Sequence, residues 1–282
     1  MAVVVSLINM KGGVGKTTIA AQLAHSAQMD KYRVLAIDLD PQSNLSHALM
    51  GAREYVSHLQ HDKPTVAQVL DNYIPTSPFS GSPRPLDVNE VIVSLRTHQS
   101  VYPLNLIPSR LELSRTLKNP MGKERRLAKC LAKVSDQYDL ILIDCAPTES
   151  VLTQATYFAS RYVIVPIKPE FMATIGLPLL VRSIEEFRLE NDDHQIDIAG
   201  LCFVESSYYN DGPEAQASKN EVKKQALQHD WYVFDSEIRH SASYPRASRE
   251  ALPIAATPYC QFQVSEEFNE FKDEVFKIIG LI

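Results

Sequence analysis

The stretch Asn9-Met10-Lys11-Gly12-Gly13-Val14-Gly15-Lys16-Thr17-Thr18 restricts the folds open to this chain more than any other. It follows an apolar, mostly β-branched run over residues 3–8, broken by Ser6, and precedes a helical pattern over residues 19–29. A strand that runs into a glycine loop and then a helix start is the context in which backbone N–H groups converge on phosphate oxygens. Gly12, Gly13 and Gly15 have no Cβ, so the backbone around Val14 is free to curl with its amides inward. The helix start adds unpaired N–H groups and the positive end of its dipole. Lys16 supplies a mobile charge for the outer phosphates, and the Thr17 hydroxyl, with Thr18 beside it, is placed to meet Mg²⁺. A merely structural glycine turn would not account for the Lys-Thr pair.

Apolar runs recur along the chain with helical patterns between them. Strands are expected at residues 3–8, 33–38, 104–107, 140–144, 162–167 and 198–204, with a weaker one at 232–234. Near-continuous Val/Ile/Leu content marks strands covered on both faces. The expected fold is therefore α/β and doubly wound: a mostly parallel sheet, helices on both faces, and ligands at the carboxyl ends of the strands. At 282 residues, 45% hydrophobic and 22% charged, the chain has ample material for one core domain spanning 1–282. A net charge of -6 argues against a generally basic nucleic-acid binder but not against a local basic patch. Cys130, Cys145, Cys202 and Cys260 form no C-x-x-C pair, so no disulfide framework or zinc site is expected. The start lacks a basic, cleavable leader, and no apolar run is long enough to span a bilayer. A cytoplasmic protein is the expectation.

Two further strand ends carry carboxylates. Residues 35–40 read Leu-Ala-Ile-Asp-Leu-Asp, ending in Asp38 and Asp40, and Pro41 stops the strand. These acids belong beside the phosphate loop, or else cap a helix that starts near Asn44. Leu140-Ile141-Leu142-Ile143-Asp144 delivers another carboxylate to a strand end, as in a site that holds the Mg²⁺ shell. Cys145 beside it reads as a packing residue. His58 and His61 have metal-compatible spacing without acid or thiol support, and they read as surface residues. Between residues 51 and 88 only 65–72 looks helical, with Thr65 as a possible N-cap; 76–85 is rich in Pro, Ser and Gly and reads as an exposed loop. Residues 122–134 read as an amphipathic basic helix with a solvated face. In the last helix, about 265–279, Phe268, Phe271, Val275, Ile278 and Ile279 share one face, and five acids against two lysines lie elsewhere. That charge favours packing on the sheet over a membrane surface.

The Lys-Gly-Gly-Val-Gly-Lys-Thr-Thr form, with Met10 where the usual loop has glycine and Lys11 next to it, resembles the deviant Walker A loop of the ParA/MinD ATPases. Asp38-Leu39-Asp40-Pro41-Gln42 and Tyr138–Asp144 resemble the Walker A′ and Walker B segments of the same family. The resemblance covers most of the chain and implies ATP and Mg²⁺ as cofactors, with Lys11 reaching the phosphates of a partner protomer in an ATP-dependent homodimer. It implies Asp40 as the residue that orients the attacking water, and places Asp38 near Mg²⁺ through water, beside Thr17 and Asp144. Helix 174–190 would line the dimer interface, and Arg239 would lie by the adenine. By the same resemblance, Lys219, Lys223, Lys224, Arg239, Arg246 and Arg249 are candidates for non-specific DNA contacts, with solvated surface charge as the alternative. His240 and the segment Pro245–Ser248 depart from the family's late loop, and residues 51–88 look like an insertion. The implied activity is ATP hydrolysis, stimulated by a ParB-like or other adaptor on the nucleoid, that segregates or spaces a plasmid or chromosome centromere complex, or a protein assembly such as a carboxysome. The alternatives are a MinD-like membrane-cycling regulator of division-site placement and a relative of the nitrogenase iron protein. The cysteines lack the context for a cluster.

Overall fold

A computed structural model describes residues 1–74, 83–95, 101–206, 212–258 and 260–282. In chain order, β1 (Val3–Leu7), α1 (Lys16–Met29), β2 (Val34–Leu39), α2 (Asn44–Met50), α3 (Ala52–Gln60) and α4 (Val66–Asp71) come first. A two-stranded hairpin, Tyr73–Ile74 with Arg84–Pro85, precedes α5 (Val88–Val91), β3 (Val93–Ser94) and β4 (Leu104–Ile107). Then follow α6 (Ser114–Lys118), α7 (Arg126–Leu131), β5 (Leu140–Cys145), α8 (Val151–Ala159), β6 (Tyr162–Ile167) and α9 (Ala173–Glu190). The chain closes with β7 (Asp197–Ser206), α10 (Pro213–Gln228), β8 (Ile238–Arg239), α11 (Ser243–Glu250) and α12 (Phe262–Ile278).

The strands form an eight-stranded sheet ordered β8-β7-β6-β1-β5-β2-β4-β3, parallel except for β3 at its edge. Every residue of β2 and β5 is buried, which is why these segments read as apolar runs up to Asp38 and Asp144. Alternation within β2 divides the core. Val34 and Ala36 pack with α1, α2 and α12 through Leu23, Leu45 and Phe271, whereas Leu35 and Ile37 pack with α4, α7 and α8 through Leu70, Leu127 and Leu152. The register aligns Leu7 with Asp144 and Asp38 with Asp144. The carboxyl ends of β1, β5 and β2 therefore come out at one level, which is what assembles the site.

Several elements differ from the sequence expectation. Residues 52–60 form a helix with Tyr55 and His58 buried at i, i+3 spacing. Its few aliphatic residues hide that periodicity. His58 is an interior residue, its Nε2 3.1 Å from the Pro64 carbonyl, because α3 folds back over the 61–65 turn. The 65–72 helix starts as expected, with Thr65 and Gln68 forming a capping box. Of the loop expected at 76–85, residues 76–82 lie outside the described residues. In the basic segment 122–134 the helix is limited to Arg126–Leu131. Lys123 is buried against Asp71, and Arg126 donates to the Leu70 carbonyl, so that face is partly tied to α4 instead of solvated. Residues 232–234 make an isolated bridge, Val233 to Leu201, and β8 takes the edge. Phe234 lies over Gly200, where an added Cβ would come within 2.6 Å of the ring. α12 buries Phe268, Phe271, Val275, Phe276 and the following Ile279 in the core. No helix among the described residues is long and apolar enough to cross a membrane.

His25 is a buried imidazole on α1 whose Nε2 has no hydrogen-bond partner. Burial depresses its pKa to about 4, so the folded state holds it neutral while the unfolded chain protonates it near 6.5. The unfolded state then binds more protons in that range, and stability falls as pH drops from about 6.5 toward 4. We expect the stability difference between wild type and His25→Leu, from urea unfolding, to shift by about 2 kcal/mol against the wild type between pH 7 and pH 5. Buried Asp38 acts in the opposite sense, its raised pKa adding stability as pH falls, but it is common to both proteins and cancels. A pH-independent difference would mean that the imidazole protonates in place.

Candidate functional site

The loop after β1 is held by its own side chains and by β6. The Asn9 Oδ1 accepts from the Lys11 N–H at 2.9 Å, and its Nδ2 donates to the Pro166 carbonyl at 2.7 Å. Gly13 and Gly15 have φ of 72° and 77°, the left-handed region where a Cβ is costly. Gly15 thereby turns the chain into α1, whose first residue is Lys16. Lys16 is 6% exposed, and its Nζ donates to the Asn9 and Lys11 carbonyls, both at 3.0 Å. Burial lowers its pKa, and the nearby Asp144 opposes that shift. A cation aimed across a curled backbone, with no Cβ at Gly12 or Gly13 to fill the space in front, suits a chain of phosphates.

Opposite the lysine stand the carboxylates of β2 and β5. Thr17 Oγ1 donates to Asp144 Oδ2 at 2.6 Å, and Asp144 Oδ1 is buried without a partner. Burial, reinforced by Asp38, raises the Asp144 pKa. An orphaned carboxylate oxygen beside a threonine hydroxyl is a hard-oxygen donor pair that fits Mg²⁺, which keeps most of its shell as water and phosphate. Accordingly, among the described residues no three His, Cys, Asp or Glu groups gather to enclose a metal. Asp38 differs. Its Oδ2 accepts from both the N–H and the hydroxyl of Ser46 at 2.7 Å, and its Oδ1 from the Asp40 N–H at 3.2 Å. Burial still pushes its carboxyl up to about 7. With both oxygens already engaged, Asp38 reaches a cation through water more readily than directly.

Asp40 accepts the Gln42 N–H at 2.8 Å, and its carbonyl accepts from the Ser109 hydroxyl at 2.7 Å. The Ser109 N–H in turn donates to Ser46 Oγ at 2.9 Å. Ser46 and Ser109 thus lock the two acidic positions together, and reading the sequence did not single out either for this purpose. Ser109 follows the end of β4 by two residues, and nothing in the spacing signals its partner 63 residues away.

The outlying candidates meet varied surroundings. Lys11 pairs with Glu170, which also pairs with Lys168 at 3.1 Å, and Lys168 with Glu205 at 2.6 Å. Beside Lys11 the start of α9 and the turn before it expose Phe171, Met172, Ile175 and Leu179. Arg239 is ion-paired with Glu267 and lines a cleft of ≈ 130 Å³ with Gly15, Thr18, Val204, His240 and Tyr244. Arg249, 74% exposed, lines a second cleft with Thr17, Thr18 and His47, so it stands close to the glycine loop and the start of α1. Lys219 is 5% exposed and paired with Glu237. That corrects its assignment as a surface contact, because α10 turns it inward toward Phe203. Lys223 and Lys224 stay on the outer face of α10, and Arg246 donates to the Pro258 carbonyl at 2.7 Å.

A family model described as an AAA domain matches residues 2–198. The chain is 29% identical over 252 residues to the chromosome-partitioning ATPase Soj of Treponema pallidum, covering 88% of this chain and 87% of that protein. The ATP complex of a Cyanothece McdA variant superposes with a TM-score of 0.77 at 20% identity, covering 99% of this chain and 96% of that one. A Mycobacterium smegmatis cobyrinic acid a,c-diamide synthase with a bound ATP analogue and magnesium gives 0.72 at 23% identity, covering 97% and 93%.

Proposed function

The chain belongs to the AAA_31 family of P-loop NTPases that includes ParA and Soj, and from that membership we propose that it is a Mg²⁺-dependent ATPase that partitions or positions a cargo by cycling on and off DNA. One observation supports this most: Thr17 Oγ1 and the partnerless Asp144 Oδ1 stand together at the mouth of a curled glycine loop crossed by Lys16. ATP, when bound, would supply the phosphoryl group to be transferred, and Mg²⁺ would supply positive charge to stabilise it. Lys16 and the amides of Gly12, Gly13, Val14, Gly15, Thr17 and Thr18 hold the phosphates. Thr17 and Asp144 hold the cation's shell, with Asp38 acting through water. Asp40, fixed by Gln42 and Ser109, orients the attacking water. Arg239 flanks the cleft beside Gly15 where the base fits.

Two protomers close on this site with Lys11 contributed in trans, neutralising charge that develops in the transition state. The exposed Phe171, Met172, Ile175 and Leu179 give that second copy an apolar surface to cover next to Lys11. The dimer binds DNA without sequence preference through Lys223, Lys224, Arg246 and Arg249, and an adaptor on the cargo stimulates hydrolysis and release. The cargo is a centromere complex or a protein assembly, and the work is done in the cytoplasm over the nucleoid. A MinD-like membrane cycle has less support, since the apolar face of α12 is spent in the core.

The test is binding of the purified protein to random-sequence duplex DNA with ATP, ADP or no nucleotide, over a salt series. ATP-dependent binding that weakens with salt at a log–log slope of about -0.9 per phosphate contacted is expected. Intact ATPase activity with no DNA binding in any nucleotide state would remove the DNA half of the reading.

A further inference from the structure

A cleft of ≈ 160 Å³ lies between the end of α4, the start of α5 and the basic segment around α7, and it shares no lining residue with the clefts at the phosphate loop. One wall is apolar, formed by Val69, Leu86 and Val88; Arg125, Arg126, Lys129 and Lys133 stand on the other, and no acid among the described residues lines it. In a chain of net charge -6, four cations around one recess make a local field opposite to the whole. Two of the four are fixed: Arg126 donates to the Leu70 carbonyl at the end of α4, and Arg125 is held by Asn191 at 2.9 Å with its guanidinium 4.2 Å from the Phe158 ring. Neither Lys129 nor Lys133 forms an ion pair among the described residues, and both are exposed.

We propose that this cleft docks a short acidic segment of a protein partner. An apolar side chain sits against Val69, Leu86 and Val88, and carboxylates on either side of it meet Arg125, Lys129 and Lys133. The spacing favours a peptide over a small anion. Arg125 precedes α7, Lys129 lies within it and Lys133 follows its end, so the three cations are set out along more than the ~9 Å of that six-residue helix, further than one phosphate can neutralise. The apolar wall favours a peptide over duplex DNA, whose backbone brings phosphates but no side chain to fill a recess.

The test uses the full chain and a fluorescein-labelled peptide of repeating Glu-Glu-Leu, followed by anisotropy. Binding is expected to weaken with salt and to exceed that of an all-glutamate peptide of equal length. The double variant Lys129→Ala/Lys133→Ala should lose about fivefold to tenfold in affinity while ATP binding stays unchanged. Leu86→Asp, at a half-buried position, should lose the preference for the leucine-containing peptide. Equal binding of both peptides, or no loss in the double variant, overturns the proposal. Displacement by millimolar inorganic phosphate would identify a small-anion site instead, and a matching loss of duplex DNA affinity in the double variant would identify a nucleic-acid contact. Either result also overturns it.

Discussion

Lys16→Ala is expected to abolish productive use of ATP. The Nζ is buried and crosses the loop to two carbonyls, so the substitution removes the cation facing the phosphates and also the brace that joins Asn9 to the start of α1. Asp144, 1% exposed, would then face the incoming anion without its nearest positive charge. Loss of a preorganised charge of this kind costs on the order of 10²–10³ in rate, and the loosened loop adds weaker binding. Phosphate release under saturating ATP and Mg²⁺, with titration of a fluorescent ATP analogue, measures both. Hydrolysis at the wild-type rate would refute the assignment of residues 9–18 as the phosphate loop.

For Lys11→Ala the expected pattern separates binding from catalysis. Lys11 and Glu170 are 36% and 42% exposed, and an ion pair that open to solvent is worth about 0–1 kcal/mol. Releasing Lys11 from Glu170 is therefore cheap compared with the 10³-fold or larger effect that a trans cation typically has on phosphoryl transfer. Lys11→Ala should leave nucleotide binding by one protomer close to wild type. ATP-dependent dimerisation, followed by light scattering, should fail, and hydrolysis should drop on the order of 10³-fold. A variant that dimerises and turns over normally would mean that each protomer completes its own site and that Lys11 is a loop charge paired with Glu170.

The sheet was largely legible from sequence because parallel strands buried on both faces are apolar along most of their length, and β2 and β5 are, up to the acids Asp38 and Asp144 near their carboxyl ends. Helix α3 was not, because Tyr55 and His58 supply its buried face and neither is a strong hydrophobic signal. The basic segment 122–134 misled for a related reason. Charge in a sequence implies solvent, yet Lys123 is 8% exposed and neutralised by Asp71, 52 residues away. Lys219 repeats the pattern: a surface-type residue on a polar helix, turned inward to Glu237.

The sequence by itself determined the glycine loop after β1, the acids at the ends of β2 and β5, and the doubly wound fold. These depend on local chemistry: glycine at positive φ, a lysine and threonine at a helix start, a carboxylate closing an apolar strand. Only the tertiary structure decided that Asp38 is engaged by Ser46 while Asp144 keeps an oxygen open, that Ser109 ties Asp40 to the same network, and that Lys11 rests on Glu170, 159 residues away. It also separated the buried Lys219 from the exposed Lys223 and Lys224. These outcomes depend on which strands lie side by side and which helix face turns inward, and both are set by burial of the whole core rather than by any local run of residues.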